Sequence, residues 1–359
     1  MAKFAFVIHP LNARDVERRY PIAKYAPESL IETFLRFKHP VVASEITGVR
    51  SKTGATTEGW FMGCPLTSHQ LLTLPEELVY KRLVECAQMA ADNGAKLIGL
   101  GAFTSVAGDG GVTVAKRSPI GVTTGNSYTV ATAIQGTLKA CHLLDVDVKN
   151  ATLAVVGATG SIGRTCSQIL SKEFGRLILV GRDLERTSAV AAEIGGATAS
   201  SDVATIKSAD AVITVTSSES AVVLPEHLKP GAVVCDVARP RDVSVRVAQE
   251  RPDVLVIEGG VVSVPGDVEF RFNFGFPEKT AYACMSETMI LALEEDPSLY
   301  SFTLGKDVSV EQVEKITALA EKHGFELAGF RSFEHAVDDA AIARARNARL
   351  MAHSVPRTA

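Results

Sequence analysis

What this chain of 359 residues lacks narrows its class before any motif is read. No apolar run approaches the ~20 residues that span a bilayer. The opening stretch, MAKFAFVIHPLN, is too short in its apolar run for a signal peptide and reads as a strand. Six cysteines (Cys64, Cys86, Cys141, Cys166, Cys235, Cys284) are scattered with no close pair, which excludes a zinc knuckle and a redox Cys-x-x-Cys. Reduced thiols and a cytoplasmic location are expected. There is no positive excess either: the net charge of −4 argues against a nucleic-acid surface spread over the whole protein. Internal repeats and low-complexity segments are missing too. What remains is an ordinary globular composition, 46% hydrophobic and 22% charged, long enough for two domains and a sizeable core.

The strongest local signal is TLAVVGATGSIG, Thr152–Gly163. An apolar β-branched run stops at Gly157-Ala158-Thr159-Gly160-Ser161-Ile162, and a helical pattern starts at once. A buried strand, a tight glycine turn and a helix N-terminus form a pyrophosphate site, because glycine lets the backbone approach and the helix dipole favours the charge. The next strand, Arg176–Val180, ends in Gly181-Arg182-Asp183. An acidic residue at the strand end would hold a ribose 2′-hydroxyl, whereas the planar fork of Arg182 suits a 2′-phosphate. The cofactor read here is NADPH, with Asp183 as a helix cap.

Around this motif the chain reads as α/β throughout, an N-terminal α/β substrate domain followed by a doubly wound Rossmann domain. Strands are expected at Lys3–Ile8, Val41–Val49, Thr56–Met62, Leu97–Gly101 and Ile120–Asn126, the last ending in polar residues, with a helix from about Ser127. The assigned boundaries are 1–150 for substrate or acyl binding, 151–275 for the cofactor, and 276–359 for helices that pack back over the cleft. Glu258-Gly259-Gly260 ends the last Rossmann strand, and Gly260 is a candidate to admit the nicotinamide ring. Pro277 fits the first turn of a helix running to about Glu295. A final helix is expected over Glu334–Ala352, bearing Arg344, Arg346 and Arg349.

Within the Pro277 helix stands Ala283-Cys284-Met285-Ser286-Glu287. A thiolate there can attack a thioester and hold the acyl group while hydride arrives. From pattern alone Cys284 also reads as a small buried residue, about two turns past Pro277 where the helix dipole, which fades after the first turn, helps little. Asn126, Ser127 and Thr124 end a strand at a helix start, so they are candidates to stabilise an oxyanion or to cap the helix. His9 ends the first strand and is a candidate proton relay.

These residues resemble one family, the long-chain acyl-acyl carrier protein reductases of cyanobacteria. The resemblance covers Phe103-Thr104-Ser105, Thr124-Gly125-Asn126, Val155–Gly160, Gly259–Val262 and Ala283-Cys284, with Glu287 and Met289 following as in the family. It implies that Cys284 is the nucleophile, that the acyl donor is acyl carrier protein or acyl-CoA, and that the product is a fatty aldehyde, released to an aldehyde-consuming partner enzyme. Acyl carriers are acidic, so Arg14, Arg18 and Arg19, or Arg344, Arg346 and Arg349, are candidate docking clusters. The chain departs from the pattern at its start, in the aromatic loop before Cys284, and in its arginine-bearing last helix.

Two other enzyme classes share the cofactor half. A shikimate or quinate dehydrogenase would need an Asn-x-Thr-x-Pro-x-Lys pattern, which is not found. In glutamyl-tRNA reductases, which the Val237–Val243 loop resembles, the nucleophile lies in the N-terminal domain, where Cys64 would stand. A non-catalytic NADPH-binding sensor is the remaining class.

Overall fold

The computed structural model describes residues 1–18, 21–273 and 275–354. Arg19 and the side chain of Arg18, expected in a docking cluster, lie outside them. The chain is α/β with two six-stranded sheets, each in its own compact unit.

In the first unit, β1 (Lys3–Ile8), β2 (Val41–Arg50), β3 (Thr56–Gly63), β4 (Ala95–Gly99) and β5 (Gly121–Thr123) run in the order β2-β3-β1-β4-β5. β1, β3, β4 and β5 are parallel, and β2 is antiparallel to β3 through the expected hairpin. β1 is buried along its four central residues and β4 at four of five, as parallel strands covered on both faces are, whereas β3 alternates buried and half-buried positions over most of its length. Ala5, Val7, Met62, Ile98 and Val122 pack under the Glu76–Asp92 helix through Val79, Leu83 and Ala87.

In the second unit, β6 (Thr152–Val156), β7 (Arg176–Val180), β8 (Ala197–Ser200), β9 (Ala211–Thr214), β10 (Val233–Asp236) and β11 (Leu255–Glu258) form a sheet in the order β11-β10-β9-β6-β7-β8. All pairs are parallel. Counting from β6, this is the 3-2-1-4-5-6 order of the dinucleotide-binding fold. β6, β9, β10 and β11 are buried at every position, so their signal is a continuous apolar run rather than an alternation.

The units do not divide where the sequence reading put the boundaries. The first comprises 1–128, 262–308 and 314–326, and the second 129–261, 309–313 and 327–359. The chain returns to the first sheet after the Rossmann strands. β12 (Val261–Ser263) leads to β13 (Gly266–Glu269), which pairs antiparallel with β2 as the sheet's sixth strand. Gly48 and Gly266 make this approach feasible: a β-carbon on Gly48 would collide with the carbonyl of Asp267.

Two helices start later than expected. Lys279 takes a left-handed φ of 58°, and β14 (Thr280–Tyr282) pairs with β12, so the helix bearing Cys284 runs only from Ala283 to Glu294. Phe333 and Glu334 also have positive φ, turning a hairpin between Arg331–Ser332 and His335–Ala336, so the last helix is Asp339–Ser354. Among the described residues no helix is long and apolar enough to cross a membrane.

Candidate active site

The later helix start changes the standing of Cys284. It is the second residue of its helix, inside the first turn, where the terminal N–H groups and the dipole favour negative charge. It is half-buried, whereas the other five cysteines, all free thiols, are buried. The glycines that end two parallel strands bring it there. A β-carbon on Gly125, beyond β5 at φ 73°, would collide with the Cα and Cβ of Cys284. One on Gly101, beyond β4, would lie 3.5 Å from the Cys284 sulfur. Ala102, next in the chain, is held at φ 47° and ψ −129°, a costly conformation for a residue with a β-carbon and one found mostly near functional sites. The thiol thus sits at the carboxyl edge of a parallel sheet, where ligands of such sheets bind. In the sequence Gly101 closes a buried strand and Ala102 opens the next loop, and neither stands among the candidate site residues. The glycine after the Leu97–Leu100 run was the available signal.

One turn past Cys284, Glu287 is fully buried. Its Oε1 accepts from Thr123 Oγ1 at 2.6 Å, and its Oε2 from Ser127 Oγ at 2.7 Å and the Tyr128 N–H at 3.0 Å. Thr303 extends the network, pairing with Ser127 Oγ at 2.7 Å and donating its N–H to Thr123 Oγ1 at 3.1 Å. A buried carboxylate needs such donors, and here they include the N–H of the third residue of the Asn126–Leu143 helix. The hydroxyl of Ser127 is therefore engaged with Glu287. Asn126 is buried in the first position of that helix, next to Gly125.

His9 stands at the end of β1, its Nδ1 donating to the Pro10 carbonyl at 3.0 Å and its ring edge-on to Phe103. That bond leaves Nε2 as the acceptor nitrogen, buried without a partner. Burial lowers its pKa to about 4, against the opposing pull of the Pro10 bond, so at neutral pH the ring is uncharged. Cys64 is 1% exposed and packs in the first unit's core together with Cys86.

In the second unit the glycine turn has the geometry a dinucleotide requires. Gly157 adopts φ 89°, and a β-carbon there would lie 2.7 Å from the Val215 carbonyl. One on Gly163 would collide with the Gly157 carbonyl, so this glycine permits the helix to pack on the turn. Gly160, the N-cap of the Ser161–Leu170 helix, is the opposite case: its β-carbon would meet nothing nearer than the Gly157 carbonyl at 3.4 Å. Ala158 is buried, while Thr159, Ser161 and Ile162 are half-exposed around this opening. At the end of β7, Arg182 is exposed and, among the described residues, makes no ion pair. Asp183 caps the next helix, accepting from the Arg186 N–H at 3.1 Å. An opening at a helix N-terminus with a nearby unpaired guanidinium fits a phosphorylated dinucleotide.

The other candidates have structural partners or backbone constraints of their own. A β-carbon on Gly259 would strike Val237, and Gly260 has φ 80°, so both are required by their own turn. In the Val237–Val243 loop, Asp242 accepts from Thr214 and Thr216, and Asp236 from the Ala238 and Val243 N–H groups. Burial raises Asp236 to about 6 despite nearby Arg239. Arg349 is buried in an ion pair with Asp210 at 2.8 Å, and Arg346 donates to the Leu143 carbonyl at 2.8 Å. Neither belongs to a free docking face, and only Arg344 of that cluster is exposed.

Comparison with known proteins shows what the chain is similar to. Residues 139–258 match the family model described as shikimate / quinate 5-dehydrogenase. The chain is 29% identical over 352 residues to the aminotransferase PigE of a Serratia species, matching 94% of this chain but spanning only 41% of that protein. It is also 29% identical over 329 residues to the long-chain acyl-[acyl-carrier-protein] reductase of Synechococcus elongatus, covering 88% of this chain and 95% of the reductase. Among solved structures, L-tryptophan dehydrogenase from Nostoc punctiforme aligns over 99% of this chain and 90% of its own, at 12% identity and a TM-score of 0.44. Glutamyl-tRNA reductase from Methanopyrus kandleri aligns over 69% and 56%, at 17% and 0.31. In general terms the sequence matches support an oxidoreductase dependent on a nicotinamide cofactor.

Proposed function

We propose that this chain reduces a long-chain acyl thioester, carried on acyl carrier protein or coenzyme A, to a fatty aldehyde, using NADPH and an acyl group held on Cys284. The observation that carries the reading is the placement of Cys284: the one cysteine of six that is not buried, in the first turn of a helix, at the carboxyl edge of a parallel sheet. The match to an acyl-carrier reductase along 95% of that enzyme supports it. The aminotransferase relative fits an aldehyde product, because transamination consumes a carbonyl compound.

The Cys284 sulfur attacks the thioester carbonyl and the carrier's thiol departs with a proton. Asn126 and the first-turn N–H groups of the Cys284 helix are assigned to the developing oxyanion, and the Ser127 hydroxyl, which donates to Glu287, supports the helix start beside them. Gly157–Ile162 and Arg182 hold NADPH, which when bound supplies the hydride. Once the carbonyl carbon has been reduced, its bond to sulfur breaks, aldehyde leaves and the thiolate is restored. One thioester, one NADPH and one proton become one aldehyde, one thiol and one NADP⁺.

Incubation with acyl carrier or acyl-CoA thioester in the absence of NADPH should give an acyl adduct on Cys284, read by peptide mass spectrometry. Cys284→Ala should lose both the adduct and aldehyde formation, and Cys64→Ala should keep both. Loss in Cys64→Ala alone would move the nucleophile to the first domain. Cofactor binding with no adduct on any thioester would point to a ketone–alcohol dehydrogenase or to a non-catalytic NADPH-binding sensor.

A further inference from the structure

We infer that Glu287 is a positioning residue for Cys284: its carboxylate pins the Cys284 helix to the Thr123–Tyr128 segment and so sets where the thiol stands. The inference rests on the reading of Cys284 as the nucleophile.

Glu287 follows Cys284 by three residues, so the two project from one helix face. That face meets the segment linking β5 to the Asn126–Leu143 helix, which it touches at two levels. At the level of Cys284 the contact is backbone against Gly125, with no space for a β-carbon. One turn deeper, Glu287 takes three donors from that segment, the Thr123 and Ser127 hydroxyls and the Tyr128 N–H, at 2.6, 2.7 and 3.0 Å. The carboxylate thereby caps a helix other than its own, and its negative charge lies at that helix's positive end.

The donors leave little freedom. Thr123 Oγ1 accepts from the Thr303 N–H, so its own proton points to Glu287. Thr303 Oγ1 is 2.7 Å from Ser127 Oγ and can donate to it while Ser127 donates to Glu287. None of these partners titrates near neutrality. A side chain of another length or hydrogen-bonding character cannot satisfy all three donors without moving one helix against the other. Such a shift moves Cys284 relative to Gly101 and Gly125.

The test compares the wild type with Glu287→Asp, which keeps the charge and withdraws it by one methylene, and Glu287→Gln, which keeps the length and loses the charge. Three quantities are measured on the full chain: cooperative thermal unfolding, the dissociation constant for NADPH, and the rate of Cys284 alkylation by iodoacetamide, with Cys284→Ser as the blank. Alkylation should slow at least tenfold in both variants while NADPH affinity stays within twofold. In turnover, kcat should fall with the alkylation rate and KM for NADPH should hold. Folded variants that alkylate at the wild-type rate overturn the inference. If neither variant folds, Ser127→Ala and Thr123→Val, each removing one donor, are read the same way: slowing of threefold or more supports the assignment, and wild-type rates in both overturn it. Alkylation needs no acyl substrate, so this outcome is independent of whether the thioester reading holds.

Discussion

No β-carbon fits on Gly125, because it would overlap the Cα and Cβ of Cys284 and stand 2.8 Å from the Cys284 carbonyl oxygen. Gly125→Ala therefore has to push the start of the Cys284 helix away from β5, and it also forces an L side chain into φ 73°. The expected result is a loss of at least ~2 kcal/mol in unfolding free energy and acyl-adduct formation on Cys284 reduced at least a hundredfold. The dissociation constant for NADPH, measured by fluorescence, should stay near the wild-type value. Wild-type acylation in this variant would show that the contact does not matter.

Cofactor choice is tested at the end of β7. Arg182 is exposed and has no competing carboxylate among the described residues, so its charge is available to a 2′-phosphate. Arg182→Ala should weaken NADPH binding by about tenfold or more, the worth of a charge-assisted phosphate contact, and leave NADH binding unchanged. Equal losses for the two cofactors would remove the role given to this guanidinium.

Exposure separates Cys284 from the other five thiols. Burial pushes Cys141 and Cys235 up to about 12, and Cys166 upward as well. Cys64 and Cys86 are enclosed in the first unit's core. One equivalent of iodoacetamide at pH 8 should therefore modify Cys284 first, as read by peptide mapping. Primary labelling of Cys64 would favour the alternative nucleophile.

The cofactor half was legible in the sequence because its determinants are local. β6 is a β-branched run, Gly157 must be left-handed, Gly163 must lack a side chain, and Gly160 leaves the turn open, all within a dozen residues. The thiol site was only half legible, because its determinants lie far apart in the chain. Pro277 is a good helix starter, but Lys279 turns left-handed and Thr280–Tyr282 is drawn into pairing with β12, so the helix begins six residues later. That delay turns Cys284 from a mid-helix residue into a first-turn residue. The domain boundary failed for the same reason, since β13 joins β2 across more than two hundred residues. Gly48, alone in an otherwise good strand pattern, was the sign of a close backbone approach there. Nothing local marks Glu287 as the cap of a helix that starts at Asn126.

Stability against acid tests the reassignment of Arg349 from docking surface to core. Burial alone would raise the Asp210 carboxyl, but Arg349, Lys229 and the Thr152 N–H outweigh it and hold it at about 2, against an ordinary value of 3.8. A depressed carboxyl stabilises the fold above its unfolded value and loses that contribution as pH falls through the folded one. Asp210 therefore contributes about 2 kcal/mol near neutrality, and the contribution fades between roughly pH 4 and pH 2. Asp236, raised to about 6, works in the opposite sense: its ionisation costs stability above 3.8, and the cost is complete once pH exceeds 6. Arg349→Met should thus lower the unfolding free energy at pH 7 by about 2 kcal/mol, and denaturant titrations should show the gap from wild type shrinking below pH 4. Asp236 contributes equally to both proteins and cancels in the difference. A variant as stable as wild type at pH 7, combined with weaker turnover of the acyl-carrier substrate, would return Arg349 to the docking role.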